Sequence, residues 1–200
     1  MKKIFTIAAA MLLFAGAASA QSYINVGYGK PTDVVKFGDM DPETDSFNTL
    51  FAGFSHNFLF GKALGVEAGA NFAYGFKKTE ELGVDIRYKY TGLNVPVLLN
   101  YGLPVGNFLT LKAFAGPTFH YGFSCKNETY ADGKKALTLD YYEDGSYNRF
   151  FISAGVAVAA EFADTFRVKL GYDLGLTDIN KAEKISTKEN LFSVTFSYIF

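Results

Sequence analysis

The sequence predicts an all-β fold in which eight antiparallel strands form an up-and-down transmembrane β-barrel. Three observations support this prediction. After residue 20, apolar and polar residues alternate with a period of two, as side chains do on the two faces of a strand. The links between these segments alternate between short and long, which is typical of a meander. The chain also has 21 Phe and 13 Tyr among its 200 residues, and membrane barrels concentrate aromatic residues at both interfaces.

The amino terminus has the pattern of a cleaved signal peptide, so we expect the barrel to comprise residues 21–200. A positive start, Met1-Lys2-Lys3, precedes an uncharged apolar stretch that ends at the small-residue site Ala18-Ser19-Ala20. This pattern predicts export. We therefore leave residues 1–20 out of the fold.

Eight segments carry the alternation. We predict strands at 23–30, 48–59, 64–76, 85–101, 109–123, 150–162, 166–176 and 192–200. In 166–176, for example, Phe166 and Val168 begin a wholly apolar face, whereas Arg167 and Lys169 lie on the other. In 85–101 the alternation changes phase after Tyr90 and Pro96 removes a ladder donor, so we expect a β-bulge in this stretch that shifts the phase.

The links between the strands alternate in length. Those at 60–63, 102–107 and 163–165 are short, whereas those at 31–47, 77–84, 124–147 and 177–188 are long and polar. Outer-membrane barrels have short periplasmic turns and long extracellular loops. Both termini are therefore expected in the periplasm.

The composition of the two strand faces decides which face is inside. The polar faces are rich in Gly, Ser and Ala, which suit a crowded interior better than a solvated surface. The apolar faces carry Phe or Tyr near their ends, as the aromatic girdles of a membrane barrel do. We therefore predict a lipid-facing apolar exterior and a polar lumen, the opposite of a soluble ligand-binding barrel.

Six charged residues fall on the predicted lumen faces, three of each sign: Glu67, Lys112, Glu161, Arg167, Lys169 and Asp173. An eight-stranded barrel is only wide enough to be filled by side chains. We therefore predict an ionic cluster that plugs the lumen, because unpaired charges with little water are costly. Pairing of Phe162 with Phe166 across the short turn would place Glu161 opposite Arg167. The alternative for Arg167 is that it extends into solvent at the rim.

The overall charge argues against nucleic acid as a partner. The chain has 19 basic and 20 acidic residues, whereas nucleic-acid-binding proteins normally have a basic stripe. The single cysteine, Cys125, allows no intrachain disulfide, and we expect it as an unpaired thiol in a polar loop.

Two motifs resemble a known family. The run 88–101, YKYTGLNVPVLLNY, resembles a segment of the PorT-like, porin-family outer-membrane β-barrel proteins of Bacteroidetes, and 112–122, KAFAGPTFHYG, is similar to their next strand. The resemblance implies an eight-stranded barrel of the OmpX or OmpA type in a Gram-negative outer membrane. The closing segment, with Phe196, Tyr198 and Phe200, is similar to the terminal strand that such proteins present to the barrel-assembly machinery.

No catalytic constellation, cofactor site or metal site is predicted. The two histidines, His56 and His120, have no nucleophile beside them on the same strand face. We expect His120 to be a hydrogen-bonded lumen residue and His56 to lie near the membrane surface. Carboxylates at alternate positions in 39–45 have the chemistry to hold Ca²⁺, but Pro42 and the missing loop glycine favour a solvated acidic loop.

The sequence therefore favours a monomeric outer-membrane barrel with a plugged lumen and a structural, adhesive or other surface-interaction role. The long loop 124–147 is the best contact surface for an extracellular protein or glycan, through the tyrosines Tyr130, Tyr141, Tyr142 and Tyr147. The remaining expected partners are outer-membrane lipid and lipopolysaccharide, with no nucleic acid. The first alternative is a small porin-like barrel that passes solutes, and the second is a lipid-modifying enzyme.

Overall fold

The computed structural model describes residues 20–38, 40–60, 63–81, 84–131, 133–182 and 185–200. The predicted signal peptide lies outside these residues, except for Ala20. The strands are β1 (Ala20–Phe37), β2 (Glu43–Ser46), β3 (Asn48–Phe60), β4 (Leu64–Glu81), β5 (Val84–Val105), β6 (Leu109–Ala131), β7 (Lys134–Asp140), β8 (Phe150–Phe162), β9 (Phe166–Gly175) and β10 (Ile185–Ile199). No helix among the described residues is long and apolar enough to span a membrane.

Eight of these strands close into a barrel, as predicted. Each pairs antiparallel with its neighbours in the order β10-β9-β8-β6-β5-β4-β3-β1, and β10 pairs with β1 to complete the ring. Closure leaves no free edge within the wall, so the wall strands hydrogen-bond to one another in a medium that offers no other partners. At the end that carries the termini, Phe200 N donates to Ser22 O at 3.0 Å.

The structure extends the hairpins into regions that we predicted to be loops. β2 continues the line of β3 beyond Phe47, whose N–H donates to Pro31 O at 3.1 Å, and pairs with the outer part of β1. β7 pairs only with the outer part of β6. The sequence pattern did not predict β7. Six of its seven residues are exposed, so neither face of this strand is buried.

A β-bulge occurs in the stretch 85–101, as predicted, but it does not shift the phase of β5. The register shifts between Thr91 and Gly92, and the extra residue, Phe123, lies on the neighbouring strand β6. Inward and outward positions therefore continue in phase along β5, with Tyr90 and Asn100 buried and Leu99 exposed. The predicted phase shift was wrong because Tyr90 points into the barrel rather than towards lipid.

Burial shows that the barrel is polar inside and apolar outside. Phe, Tyr, Leu and Val side chains dominate the exposed face, including Val156 and Val158 near the middle of β8, which are 65% and 59% exposed. The buried polar set on the barrel strands includes Asn25, Ser55, Asn57, Asn100, Thr118, Ser153, Thr195 and Ser197. This arrangement is that of a transmembrane barrel.

Candidate functional site in the barrel lumen

The structure brings five of the six predicted lumen charges together near the end that carries the termini. Arg167 of β9 forms a two-pronged ion pair with Glu67 of β4, with Nη2 3.1 Å from Oε1 and Nη1 in contact with Oε2. Arg167 is 0% and Glu67 1% exposed. The alternative in which Arg167 extends into solvent is therefore wrong, because the guanidinium turns inward to reach a carboxylate across the lumen.

A second carboxylate joins this cluster. Phe162 pairs with Phe166 in the predicted register, which places Glu161 opposite Arg167. Lys112 Nζ lies 2.8 Å from Glu161 Oε2, and Tyr23 donates to Glu161 Oε1 at 3.0 Å. The Arg167 guanidinium also stacks 3.8 Å from the centroid of the Tyr23 ring. Tyr23 was missed in the sequence because an inward tyrosine has no signature distinct from a lipid-facing one.

Lys169 completes the cluster, whereas Asp173 lies apart from it. Lys169 Nζ is 3.2 Å from Glu67 Oε1. Asp173 is four residues farther along β9 and forms no ion pair among the described residues. It lines a cavity of about 70 Å³ that also contacts Asn71, Asn94, Thr118 and Thr195. Such a cavity has room for only a few water molecules.

Above this level, His120 connects two strands that flank its own. Its Nε2 is 2.8 Å from Ser153 Oγ and its Nδ1 is 3.0 Å from Asn94 Oδ1, while Phe151 stacks on the ring at 4.3 Å. Ser153 reaches His120 from the neighbouring strand β8, and alternation along a single strand gives no sign of such a contact. Ser153 is 1% exposed and His120 is 2% exposed. A serine–histidine–asparagine arrangement therefore exists, but it is enclosed in the barrel wall and lumen.

Aromatic side chains pack together in the lumen towards the end of the barrel opposite Ala20 and Phe200. We call Phe47, Tyr88, Tyr90 and Tyr142 the aromatic stopper. The Phe47 ring is 4.8 Å from that of Tyr88 and 6.5 Å from that of Tyr90. Tyr90 and Tyr142 are each 8% exposed and pack with Cys125 in one buried cluster.

Glycines in the wall make room for the stopper. A Cβ at Gly122 would lie 1.8 Å from the hydroxyl of Tyr142, and one at Gly75 would lie 2.8 Å from the Phe47 ring. Cys125 is 2% exposed and lies in β6, with its thiol 3.4 Å from the Tyr88 hydroxyl. The expectation of a thiol in a polar loop was wrong, because β6 extends past the predicted strand end and turns this residue inward.

Two carboxylates face each other at the same end of the barrel. Asp33 of β1 is the register partner of Glu189 of β10, three positions beyond the Lys30–Phe192 pair that ends the lipid-facing segment. Burial and the nearby charge of Asp45 raise the pKa of Asp33 to about 7, although the positive charge of Lys77 opposes the rise. Burial and the charge of Asp33 also raise the pKa of Glu189 well above its usual range. Both acids therefore disfavour their charged forms.

The predicted loop tyrosines have different environments. Tyr142 is buried in the stopper, so it offers no surface for a partner. Tyr141 stacks on Tyr147 at 4.7 Å, and Tyr130 lies under the Arg87 guanidinium at 4.3 Å. Tyr130, Tyr141 and Tyr147 are half-buried at the extracellular end.

The remaining sequence-predicted residues lie at the barrel surface. Phe196, Tyr198 and Phe200 are 48%, 46% and 62% exposed on the lipid face. His56 accepts from or donates to Ser22 Oγ at 2.9 Å, near the end that carries the termini. Asp45 of the predicted acidic loop contacts Lys77. Among the described residues, no group of three or more His, Cys, Asp or Glu is placed to hold a metal.

Comparison with known proteins identifies one protein family and several solved structures of low sequence identity. Ail of Yersinia pestis is 16% identical, with 91% of this chain and 99% of that chain covered and a TM-score of 0.46. Neisserial surface protein A is 10% identical, with 91% and 99% covered and a TM-score of 0.47. The outer membrane enzyme PagL is 11% identical, with 88% and 97% covered and a TM-score of 0.48.

None of these structures bears on what this chain does, because both the identities and the TM-scores are low. No curated protein sequence matches the chain. The family comparison is different in kind, since residues 5–200 match the outer membrane protein beta-barrel domain. The chain belongs to the outer membrane protein beta-barrel domain family.

Proposed function

We propose that this outer-membrane barrel is sealed and acts through its extracellular hairpins in a structural, adhesive or other surface-interaction role. The observation that supports the proposal best is the closure of the lumen at two levels. The ionic cluster around Arg167 and Glu67 fills one level, and the aromatic stopper fills the other. The cavity of about 70 Å³ beside Asp173 has room for only a few water molecules, which supports a filled lumen at this level.

The ionic cluster is suited to sealing rather than conduction. Each buried carboxylate is held by cations from other strands, Glu67 by Arg167 and Lys169 and Glu161 by Lys112. Opening a path would separate these charges without water to solvate them, which is expensive in a low-dielectric interior. The cluster therefore favours a permanently filled lumen.

The hairpins above the membrane carry the surfaces for the proposed contacts. Most of β7 is exposed, with Leu137 62% and Leu139 40% exposed. Tyr130 lies near the tip of this hairpin and Tyr141 and Tyr147 lie near its base, and these rings offer aromatic surface to an extracellular protein or glycan. Scattered polar and aromatic side chains of this kind suit contact with a surface partner.

The other expected partners are proposals of the same kind. The apolar exterior would contact outer-membrane lipid and lipopolysaccharide, and the barrel-assembly machinery would recognise the terminal strand through Phe196, Tyr198 and Phe200. We further propose a monomer, a cleaved signal peptide at residues 1–20, and membership of the PorT-like group that the two motifs resemble.

We propose no enzymatic role. Ser153 and His120, which are hydrogen-bonded to each other inside the barrel, are 1% and 2% exposed, so a lipid or glycan substrate has no approach to the hydroxyl. Phe151 covers one face of the imidazole. An active serine also needs donors that stabilise the oxyanion in an accessible site. A structural hydrogen-bond network explains this group better.

Liposome swelling tests the sealed barrel against the porin-like alternative. Proteoliposomes that contain the folded protein are diluted into isotonic arabinose, and swelling is compared with that of empty liposomes. A rate equal to that of empty liposomes supports the sealed barrel. A rate well above it contradicts the proposal and favours solute passage.

Shortening the β6–β7 hairpin tests the surface role. Replacement of residues 128–138 by Asn-Gly joins the strands at the Asn127–Leu139 pair through a favoured two-residue turn. The matched control replaces residues 79–86 of the β4–β5 hairpin in the same way, at the Lys78–Arg87 pair. Binding of labelled cells to immobilised matrix proteins and glycans should fall with the first change and persist with the second. Equal binding by the first variant and the intact protein contradicts the role of this hairpin.

A further inference from the structure

Two lysines face each other on the outside of the barrel, towards the end opposite the termini. Lys89 of β5 and Lys126 of β6 are register partners, and side chains directly opposite on antiparallel strands have Cβ atoms about 4.5–5.5 Å apart. Both lysines point outward, because the next positions along their strands, Tyr90 and Cys125, are buried in the barrel. Like charges directly opposite each other are destabilising. The pair therefore favours an anion outside the wall.

Aromatic side chains place these lysines at the edge of the lipid-facing surface. Phe76 of β4 is the register partner of Lys89 and stacks on Tyr74, with 6.0 Å between the ring centroids. On β6, Phe123 is 47% exposed and lies 5.7 Å from the ring of Tyr121. Exposed aromatic rings are concentrated where the hydrocarbon core of a membrane meets the headgroups. The two lysines therefore lie at the level of the lipid headgroups.

A second pair of facing cations lies one step beyond the first. Lys78 of β4 and Arg87 of β5 are register partners, two positions along their strands from Phe76 and Lys89, so both also point outward. We call Lys78, Arg87, Lys89 and Lys126 the basic patch. Their side chains are between 39% and 56% exposed. All four cations are therefore open to a ligand outside the wall.

The carboxylates beside the basic patch leave its positive charge on the outside. The patch and Lys135 are five cations that share four carboxylates, Glu80, Asp85, Glu128 and Asp140. Glu128 and Asp140, which pair with Lys89 at 2.7 Å and with Lys126 at 3.2 Å, are only 10% and 12% exposed. The acids thus lie beneath the ammonium groups. Each ammonium has three donors, so one ion pair leaves donors free for an anion.

We propose that the basic patch binds the phosphate groups of lipopolysaccharide, while the acyl chains of this lipid lie against the aromatic rings beside the patch. The two facing lysines can approach one phosphate from both sides, and the guanidinium of Arg87 can bind two phosphate oxygens at once. The proposal rests on the proposed function for its orientation, with the long hairpins outside the cell, because lipopolysaccharide occupies the outer leaflet.

The bound phosphate would relieve the repulsion between the facing cations and hold this side of the barrel at a fixed height in the outer leaflet. The seam between β1 and β10 differs. There Lys30, an exposed lysine that also lies beside an exposed aromatic ring, has Phe192 as its register partner rather than a second cation. We therefore expect the lipid on the β4–β6 side, and Lys30 provides a matched control.

Native mass spectrometry of the folded barrel in detergent tests the proposal, with bisphosphoryl lipid A as the probe. Dephosphorylated lipid A keeps the acyl chains, whereas phosphatidylglycerol keeps a phosphate but lacks the sugars. Lys89→Gln/Lys126→Gln removes both facing charges, and Lys89→Arg/Lys126→Arg keeps them. Lys30→Gln is the control. A heat-modifiable gel shift verifies that each variant is folded.

The Gln double variant should bind bisphosphoryl lipid A at least about tenfold more weakly than the intact protein. The Arg double variant and Lys30→Gln should match the intact protein, and dephosphorylated lipid A should bind the intact protein as weakly as the probe binds the Gln variant. Equal affinity in the folded Gln variant overturns the proposal. Equal affinity of the intact protein for phosphatidylglycerol, or displacement of the probe by an equal concentration of inorganic phosphate, overturns the assignment to lipopolysaccharide.

Binding in detergent depends neither on the orientation of the barrel in a membrane nor on the sealing of its lumen. A negative result in this experiment is therefore distinct from a failure of the proposed function, which liposome swelling and the hairpin variants test.

Discussion

Arg167 and Glu67, one hundred residues apart in the chain, form a two-pronged ion pair that is shielded from solvent inside the barrel. Arg167 also lies 3.8 Å from Glu161. One guanidinium thus links carboxylates from two other strands. An unpaired charge is costly inside the barrel, so we expect the loss of Arg167 to destabilise the fold more than the loss of any surface cation.

The first prediction concerns Arg167→Met, which removes the charge and keeps the volume. It leaves Glu67 with Lys169 and Glu161 with Lys112, and we expect a loss of about 3–5 kcal/mol in the free energy of unfolding. Urea unfolding in lipid vesicles measures it. The control, Arg87→Met, changes an arginine that is 43% exposed, and should cost no more than about 1 kcal/mol. Equal losses in the two variants would contradict a structural role for the ionic cluster.

A second prediction concerns the fit between Gly122 and Tyr142. Gly122→Ala places a methyl group on the tyrosine ring and should destabilise the barrel by about 1–3 kcal/mol. Gly102→Ala is the control, because its Cβ would meet nothing closer than 3.5 Å. In a protein that already carries Tyr142→Ala, Gly122→Ala should lower the free energy of unfolding by less than it does in the intact protein, because the ring that the new methyl group would meet is gone. A thermal unfolding series that shows no such coupling would mean that the stopper is not packed against this glycine.

The third prediction concerns the lipid face. Val158→Arg puts a charge on the outside of β8 and should cost about 2–4 kcal/mol near the bilayer midplane. Leu137→Arg, at a residue that is 62% exposed on β7, should change the stability by less than about 0.5 kcal/mol because it lies above the membrane. Urea unfolding in vesicles distinguishes the two. Similar small effects at both positions would contradict the orientation of the barrel wall.

The fourth prediction concerns pH. An acid whose pKa is raised in the folded state binds more protons there than in the unfolded chain, so its contribution to stability is present at low pH and is lost as pH rises. With the pKa of Asp33 at about 7, the loss should occur between about pH 4 and pH 7. Asp33→Asn should reduce this slope. Thermal midpoints at a series of pH values measure it, and an unchanged slope in Asp33→Asn would contradict the raised pKa.

The sequence predicted the barrel well because each wall strand meets lipid on one face and protein on the other. This difference produces the alternation in Phe166 and Arg167, and the short turn before Phe166 sets the observed pairing with Phe162. Strand β7 was not predicted. Above the membrane both of its faces meet water, and six of its seven residues are exposed, so it has no buried face that distinguishes it from a polar loop.

The candidate sites were harder to predict because they depend on contacts across the lumen. Asp33 and Glu189 meet only because the first strand pairs with the last in one register. Likewise, Ser153 reaches His120 from a neighbouring strand. Alternation assigns a residue to a face but says nothing about its height in the barrel or about which residues lie opposite. Inward tyrosines such as Tyr90 add a further ambiguity, since they resemble lipid-facing aromatics.

The central claim is that the ionic cluster and the aromatic stopper seal this outer-membrane barrel. Planar lipid bilayer recording of the purified, folded protein tests it most directly. The account predicts a bilayer current that does not differ from that of a protein-free membrane. Large, stable conductance steps from the folded protein would contradict it.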